Sequence, residues 1–419
     1  MHRRHFFRTG AAAMTALYAA GLPRRPAAAE VTPEKPLQLS PQFRRLQAPE
    51  TGRLAIQLTW GDSQCYPLYY YVPTITADGR YLVYHRAAEG QLQLYRLDLH
   101  TAESTQLTRA TAEDTQWRPW CIDSGAGVLD HRSALNVPRN QAVYFDGNHV
   151  RAVHVHTLDD ESLFHIPEDR DPYGRACCTP DGQWLVYIHV PQGSIWGEPC
   201  EGAAIVAYHF DTGQQQTLSH IDAAVFHVAP YDNQHIVVTH PAEGPGMLLT
   251  DFTRNRCDPI RDGVVHCPVT ERGIAYEVPE ERRLGLRDPL QQSWFEFRMP
   301  DFFEYLHTGR DPAGRLFFYE NSTDWDKFDI HDMYALLQLD RQHGRHQWLR
   351  LMGNWPTYLG GQKAHFHPQL TPDRRWILFH GGDPASETCH MFLLDVADLG
   401  DSQGIGPELL SPTGEHDIV

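Results

Sequence analysis

The 8 cysteines of this sequence include no C-x-x-C pair, which leaves neither a zinc ribbon nor a thioredoxin-like motif available to it. It has no basic block outside the N-terminal stretch, and the net charge is −17. Nucleic acid is therefore excluded as a partner class, because neutralising phosphates supplies most of that affinity. Beyond the N-terminus no run approaches the roughly 20 apolar residues that a membrane-spanning helix needs, so no membrane span is expected in the mature chain. Long helical periodicity is absent, and no break in composition marks a second domain. A chain of this size can build its core without disulfide staples, so mostly free or buried thiols are expected. Histidine is what the sequence has in excess: 25 in 419 residues.

The N-terminus reads as an export signal. Arg3-Arg4 leads through Phe6-Phe7-Arg8 into a short apolar run, Ala11 to Leu22, and then Ala27-Ala28-Ala29. A charged start, a short apolar middle and a small-residue end make a secretory signal, and the arginine pair points to the twin-arginine route. Residues 1–29 are expected to be this signal, 30–49 a linker, and 50–419 a single domain in the periplasm or outside the cell. Folded export would let a metalloprotein load its metal in the cytoplasm, where metal supply rather than affinity order decides occupancy.

One pattern recurs along the rest. A turn is followed by a short apolar strand ending near an aromatic residue, as in Thr76-Ala77-Asp78-Gly79-Arg80-Tyr81-Leu82-Val83-Tyr84. Strong copies begin at Thr179 and Thr371; weaker ones begin at Pro138, Tyr231, Glu271 and Asp311. A second and third strand follow each strong copy, the second alternating apolar and polar as in Leu92-Gln93-Leu94-Tyr95-Arg96-Leu97-Asp98. Repeats of roughly 40–60 residues, each strand-turn-strand, are the signature of propeller blades. Counting the copies predicts an all-β, seven-bladed β-propeller. Leu54 to Thr59 resembles an outer strand without its blade, and is expected to close the ring by pairing with the last blade, which removes an exposed edge.

The densest candidate for chemistry is Gly361-Gln362-Lys363-Ala364-His365-Phe366-His367-Pro368, just before the last strong turn. On a strand, His365 and His367 would share a face and could ligate a first-row metal. With this many histidines such pairs also arise by chance, and His154-Val155-His156 is a rival. Position favours the first pair, since inner strands approach the central channel there. His266 and His307 precede other blades in comparable places, and His227 and His240 flank the fourth turn. Around a common axis these residues could converge; they could equally be ordinary interface histidines.

These residues resemble the oligogalacturonate lyases, a pectin-degrading polysaccharide lyase family with a seven-bladed propeller. The likeness rests on Leu58-Thr59 with Tyr69-Tyr70-Tyr71 and Ala77 to Leu82, on Gln362-x-x-His365-x-His367-Pro368 followed by Leu370-Thr371-Pro372-Asp373, and on the order of His266, His307 and that cluster. The resemblance implies manganese, or another divalent metal, held by His307, Gln362, His365 and His367. It implies His266 as the base that abstracts the substrate proton. The expected substrate is a short uronate-containing oligosaccharide, whose C5 proton is only weakly acidic. A divalent metal on the C6 carboxylate offsets the charge that develops there, and a histidine base typically contributes about 10²–10⁴-fold.

Where the family usually carries an arginine, this sequence reads Glu243-Gly244-Pro245-Gly246-Met247-Leu248-Leu249. Arginine suits bidentate carboxylate recognition, so Arg254, Arg256 or Arg310 are the expected substitutes, and a uronate other than digalacturonate fits the departure. Two further functions compete. A metal-assisted hydrolase would need a carboxylate base near the metal, and the Gln-His-His cluster itself contains none. A non-catalytic, TolB-like periplasmic propeller that binds sugar or protein would need neither metal nor His266.

Overall fold

Threonine and aspartate two residues apart build the turn that opens each strong repeat. Thr76 Oγ1 donates to Asp78 Oδ1 at 2.6 Å and accepts the Tyr81 N–H at 3.1 Å. Thr179 does the same with Asp181 and Trp184, and Thr371 with Asp373 and Trp376. Aspartate alone serves two of the weaker copies: Asp232 takes the N–H groups of Gln234 and His235, and Asp311 those of Ala313 and Leu316. Such local side-chain bonds stabilise turns in place of ladder bonds. The described residues of the computed structural model are 36–113, 126–130, 132–195, 198, 200–222, 225, 227–239, 246–301, 303, 305–314, 316–322, 330–340, 345–357, 365–383, 385–399 and 414–415.

The strands form seven sheets, the blades of a propeller, antiparallel apart from two short parallel pairings, Ala126–Gly127 with Gln91–Asp98 and Gly414–Glu415 with Ser293–Arg298. Blade 1 holds Gln64–Pro67, Tyr81–Ala88, Gln91–Asp98 and Ser104–Gln106. Blade 2 runs Ala134–Asn136, Gln141–Asp146, His149–His154 and Asp160–His165. Blade 3 is Arg170–Cys178, Trp184–Pro191, Ala203–His209 and Gln215–Ile221. Blade 4 is His227–Pro230, His235–Thr239, Met247–Asp251 and Asp258–Arg261. Blade 5 is Val269–Thr270, Gly273–Val278, Arg283–Asp288 and Ser293–Arg298, and blade 6 is Tyr305–Thr308, Phe317–Ser322, Ile330–Asp340 and Arg345–Pro356. In blade 7, Gln369–Leu370, Trp376–Asp383 and Thr388–Asp395 are joined by two strands from the other end of the chain.

One of those two strands closes the ring as expected. Leu54–Gln57 pairs with Thr388–Asp395, with Ala55 opposite Leu394 and Ile56 opposite Leu393. One boundary differs: Arg44–Gln47 adds a fifth strand outside it, so the propeller begins within the stretch assigned to a linker. All four of its residues are exposed, so no apolar alternation marks the strand in the sequence.

The core lies between blades. Phe318, Met333 and Leu351 of blade 6 pack with Ile377, Phe379 and Phe392 of blade 7. Ile56, Leu378 and Leu393 of blade 7 pack with Leu82, Tyr84 and Leu97 of blade 1. Fully burying one such side chain contributes about 1.5–3 kcal/mol. Among the described residues seven cysteines are free, and five of these are buried. The only helix there is a 3-10 turn, Ala397–Leu399, and no helix is long and apolar enough to cross a membrane.

Candidate metal centre

The inner strand of blade 6 sets the site. Tyr305–Thr308 pairs with Phe317–Ser322 in a register that places His307 directly opposite Glu320. Opposed residues on one face of an antiparallel pair interact, and His307 Nδ1 lies 3.5 Å from Glu320 Oε1. Gly309 lets the chain leave this strand tightly, because a Cβ there would come within 2.0 Å of the Phe318 ring. Blade 7 brings the second half. His365 Nδ1 donates to the same Glu320 Oε1, and the His367 N–H donates to Oε2 at 2.9 Å. His331 adds a third Nδ1 atom, 3.5 Å from Oε1.

His307, Glu320 and His365 therefore offer ligand atoms within 4.8 Å of one another, and all three are buried. Two imidazoles and a carboxylate are donors that first-row divalent metals accept. Burial pushes His365 down to about 4, although Glu320 opposes the shift. His307 is held well below its ordinary value by burial and by the His266 and His365 rings. Both are thus neutral at neutral pH, the form that binds metal. Burial works against the Glu320 charge too, but His365 and His307 outweigh it and hold the carboxyl well below its usual range.

The spacing predicts a strand with His365 and His367 on one face, but neither residue lies on a strand. They sit just ahead of Gln369–Leu370, and His367 adopts a left-handed backbone, φ 45°. Their ring centroids are 6.3 Å apart. His367 is nonetheless at the centre, its ring 5.2 Å from that of His307 and 4.8 Å from that of Tyr69. Gln362 lies outside the described residues.

His266 comes from the segment entering blade 5, and its ring centroid is 3.9 Å from that of His307. Its backbone is also left-handed, φ 50°. That conformation is uncommon without glycine and gathers at functional sites. Its Nδ1 lies 3.0 Å from Glu277 Oε2. His266 ahead of blade 5, His307 in the inner strand of blade 6 and the histidines ahead of blade 7 thus converge.

Arg310 borders the cluster. Its N–H donates to the Pro368 carbonyl at 3.0 Å, and burial pushes its guanidinium down to about 10, so it stays charged at neutral pH. Arg254 does not join it. It sits in a blade 4 turn, half exposed, paired with Asp251 and Asp258 at 2.8 Å each. Arg256 pairs with the same Asp258 at 3.2 Å and is more exposed still. These are solvated turn contacts, not a recognition site. A different arginine lies close: Arg175 of blade 3 is 3% exposed, stacks 3.0 Å above the Tyr69 ring and donates from Nε to His227 Nδ1 at 2.9 Å. Nothing in the sequence near Arg175 marks it. The rival pair His154 and His156 lies elsewhere, with His156 3.7 Å from Asp78 and His154 Nδ1 accepting the Thr157 N–H at 3.2 Å. His240 is outside the described residues.

Glu320 supplies the carboxylate that the Gln-His-His stretch lacks, from 45 residues upstream of His365. It is not a free base, since Oε1 takes His365 and Oε2 the His367 N–H.

A seven-bladed propeller with a buried histidine–glutamate cluster of metal-ligand type is the class that fold and site define. Within that class the chain is similar to the oligogalacturonate lyases. The family model for oligogalacturonate lyase matches residues 34–210, from the two N-terminal strands of blade 7 through the third strand of blade 3. An oligogalacturonate lyase of Dickeya dadantii is 24% identical over 404 residues, covering 86% of this chain and 98% of that protein. An oligogalacturonide lyase of Pectobacterium atrosepticum is 24% identical over 401 residues, covering 85% and 96%. Among solved structures, an oligogalacturonate lyase in complex with manganese shares the fold at TM-score 0.65, with 21% identity over 84% of this chain and 96% of that one. An oligogalacturonate lyase of Vibrio parahaemolyticus matches at TM-score 0.67, with 17% identity over 85% and 97%.

Proposed function

We propose that this chain is a manganese-dependent lyase that cleaves short uronate-containing oligosaccharides by β-elimination. One observation carries the reading: a buried His307–Glu320–His365 cluster lies against a further histidine, His266, in a propeller homologous to oligogalacturonate lyases. His307, His365 and His367 would hold the metal, with Gln362 as the fourth ligand that the resemblance implies. Bound there, a divalent cation supplies Lewis acidity toward the substrate carboxylate.

The protein's own groups do the rest. Glu277 faces His266 Nδ1, which favours the tautomer with hydrogen on Nδ1 and leaves Nε2 as the atom that takes the C5 proton. The C5–H electrons form a C4=C5 double bond, and the C4–O pair leaves with the oxygen of the neighbouring sugar, which then acquires a proton. The charged guanidinium of Arg310 suits a uronate carboxylate. Export by the twin-arginine route, and action in the periplasm or outside the cell, belong to the same reading.

The test follows the ultraviolet absorbance of the unsaturated product from short oligogalacturonates, with and without chelator and with His266→Ala. A rise that needs both metal and His266 supports the proposal. Activity that survives His266→Ala removes the base assignment. No product and no bound metal point instead to a binding propeller.

A further inference from the structure

A second buried carboxylate stands behind the base. Glu277, in the strand Gly273–Val278 of blade 5, is 2% exposed. Its Oε2 lies 3.0 Å from His266 Nδ1. Its Oε1 accepts two hydrogen bonds from Thr308, from N–H at 2.6 Å and from Oγ1 at 2.7 Å. Thr308 is the residue directly after His307 and is fully buried. The backbone is tied as well: Val265, the residue before His266, exchanges hydrogen bonds with Glu277 at 3.0 and 3.2 Å. One side chain thus grips His266 with one oxygen and the strand that carries His307 with the other.

We propose that Glu277 is a positioning residue, which fixes both the tautomer of His266 and its separation from His307. The inference rests on the proposed lyase reading, in which His266 is the base. With Oε1 taken up by the two Thr308 donors, Oε2 faces Nδ1 as an acceptor and selects the imidazole tautomer with hydrogen on Nδ1 and the lone pair on Nε2. It also holds His266 in its left-handed backbone, a conformation that costs of order 1–3 kcal/mol unless the surroundings over-determine it. Glu277 meets no substrate in this arrangement; it acts through His266. A displacement of about 1 Å of a catalytic group costs about 10²-fold, and here the same carboxylate sets both groups that must meet one sugar.

Glu277→Gln is the informative change. Its amide oxygen can still accept from Thr308, which turns the NH2 toward His266 Nδ1. That donor forces the hydrogen onto Nε2, where the lone pair is needed. The expected result is a fall in kcat of about 10²–10⁴-fold, the range of one general base, with KM and manganese affinity by titration calorimetry close to wild type. Long-range nitrogen–proton NMR of the metal-free protein should show His266 changing from the Nδ1–H to the Nε2–H form. The double variant Glu277→Gln/His266→Ala should be no slower than His266→Ala alone.

Wild-type kcat in Glu277→Gln, where His266→Ala is inactive, would overturn the proposal. So would loss of manganese together with activity, or a double variant much slower than His266→Ala. Thr308→Val serves if Glu277→Gln does not fold. It removes only the hydroxyl donor, and kcat should fall several-fold at unchanged KM; unchanged kcat would count against Glu277. A wild type inactive on every uronate would sink the lyase reading instead, and the NMR tautomer would still report on Glu277.

Discussion

Glu320→Ala tests whether the cluster is a metal site or a set of satisfied core histidines. The carboxylate is fully buried and accepts from His365 Nδ1 and from the His367 N–H. Hydrogen bonds to a charged group are worth about 1.5–3 kcal/mol each, so losing both should remove roughly 3–6 kcal/mol of metal-free stability. Outer carboxylates that orient ligand imidazoles typically contribute about 10–100-fold in metal affinity, and loss of a direct ligand costs more. Manganese titration should therefore show at least a tenfold weaker site. Thermal unfolding should show a much smaller gain on adding metal than in wild type, since ligand stabilises in proportion to the logarithm of its saturation. Glu320→Gln tests the same point with less loss of volume, because its NH2 must face either His365 Nδ1 or the His367 N–H. Manganese binding as tight as wild type in both variants, with binding abolished in His365→Ala, would refute Glu320 as an organiser of the site.

Other expectations follow from the same geometry. Arg254→Ala should leave kcat and KM unchanged and alter stability by less than about 0.5 kcal/mol, since it loses only exposed ion pairs, whereas Arg310→Ala should raise KM for a charged oligosaccharide. His85 is fully buried and pushed down to about 3 by desolvation, while the unfolded chain takes its proton near the ordinary histidine value. Stability should therefore be complete above about pH 6.5 and fall by up to about 1.4 kcal/mol per pH unit as the pH drops toward that folded value. Urea titrations of wild type and His85→Phe across that range should give a shallower slope in the variant. Thr179→Val breaks the turn bonds to Asp181 and Trp184 and should cost about 1–2 kcal/mol in thermal unfolding. Ile56→Ala, in the strand that closes the ring, should cost about 2–5 kcal/mol.

The propeller was legible because its turns repeat. Thr76, Thr179 and Thr371 make the same bonds to the same offsets, and each precedes an apolar strand. Leu54–Gln57 was legible as an orphan strand, while Arg44–Gln47 was not, because a wholly exposed strand has no apolar period to read. His266, His307, His365 and His367 stood out because histidine before an inner strand is visible in one dimension. Glu320 and Glu277 did not, since each lies in an ordinary strand and gains its meaning only from the cross-blade contact. His365-x-His367 stood out by its position ahead of the last strong turn; the shared face that a strand would give it does not hold, because His367 turns left-handed.

The central claim is that this cluster promotes elimination rather than addition of water. Cleavage of a short oligogalacturonate by the manganese-loaded protein in heavy-oxygen water, followed by mass spectrometry of the fragments, tests it directly. Elimination gives an unsaturated fragment lighter by one water, with no solvent oxygen in the new ends. Heavy oxygen in a saturated fragment would mean hydrolysis and would contradict the account.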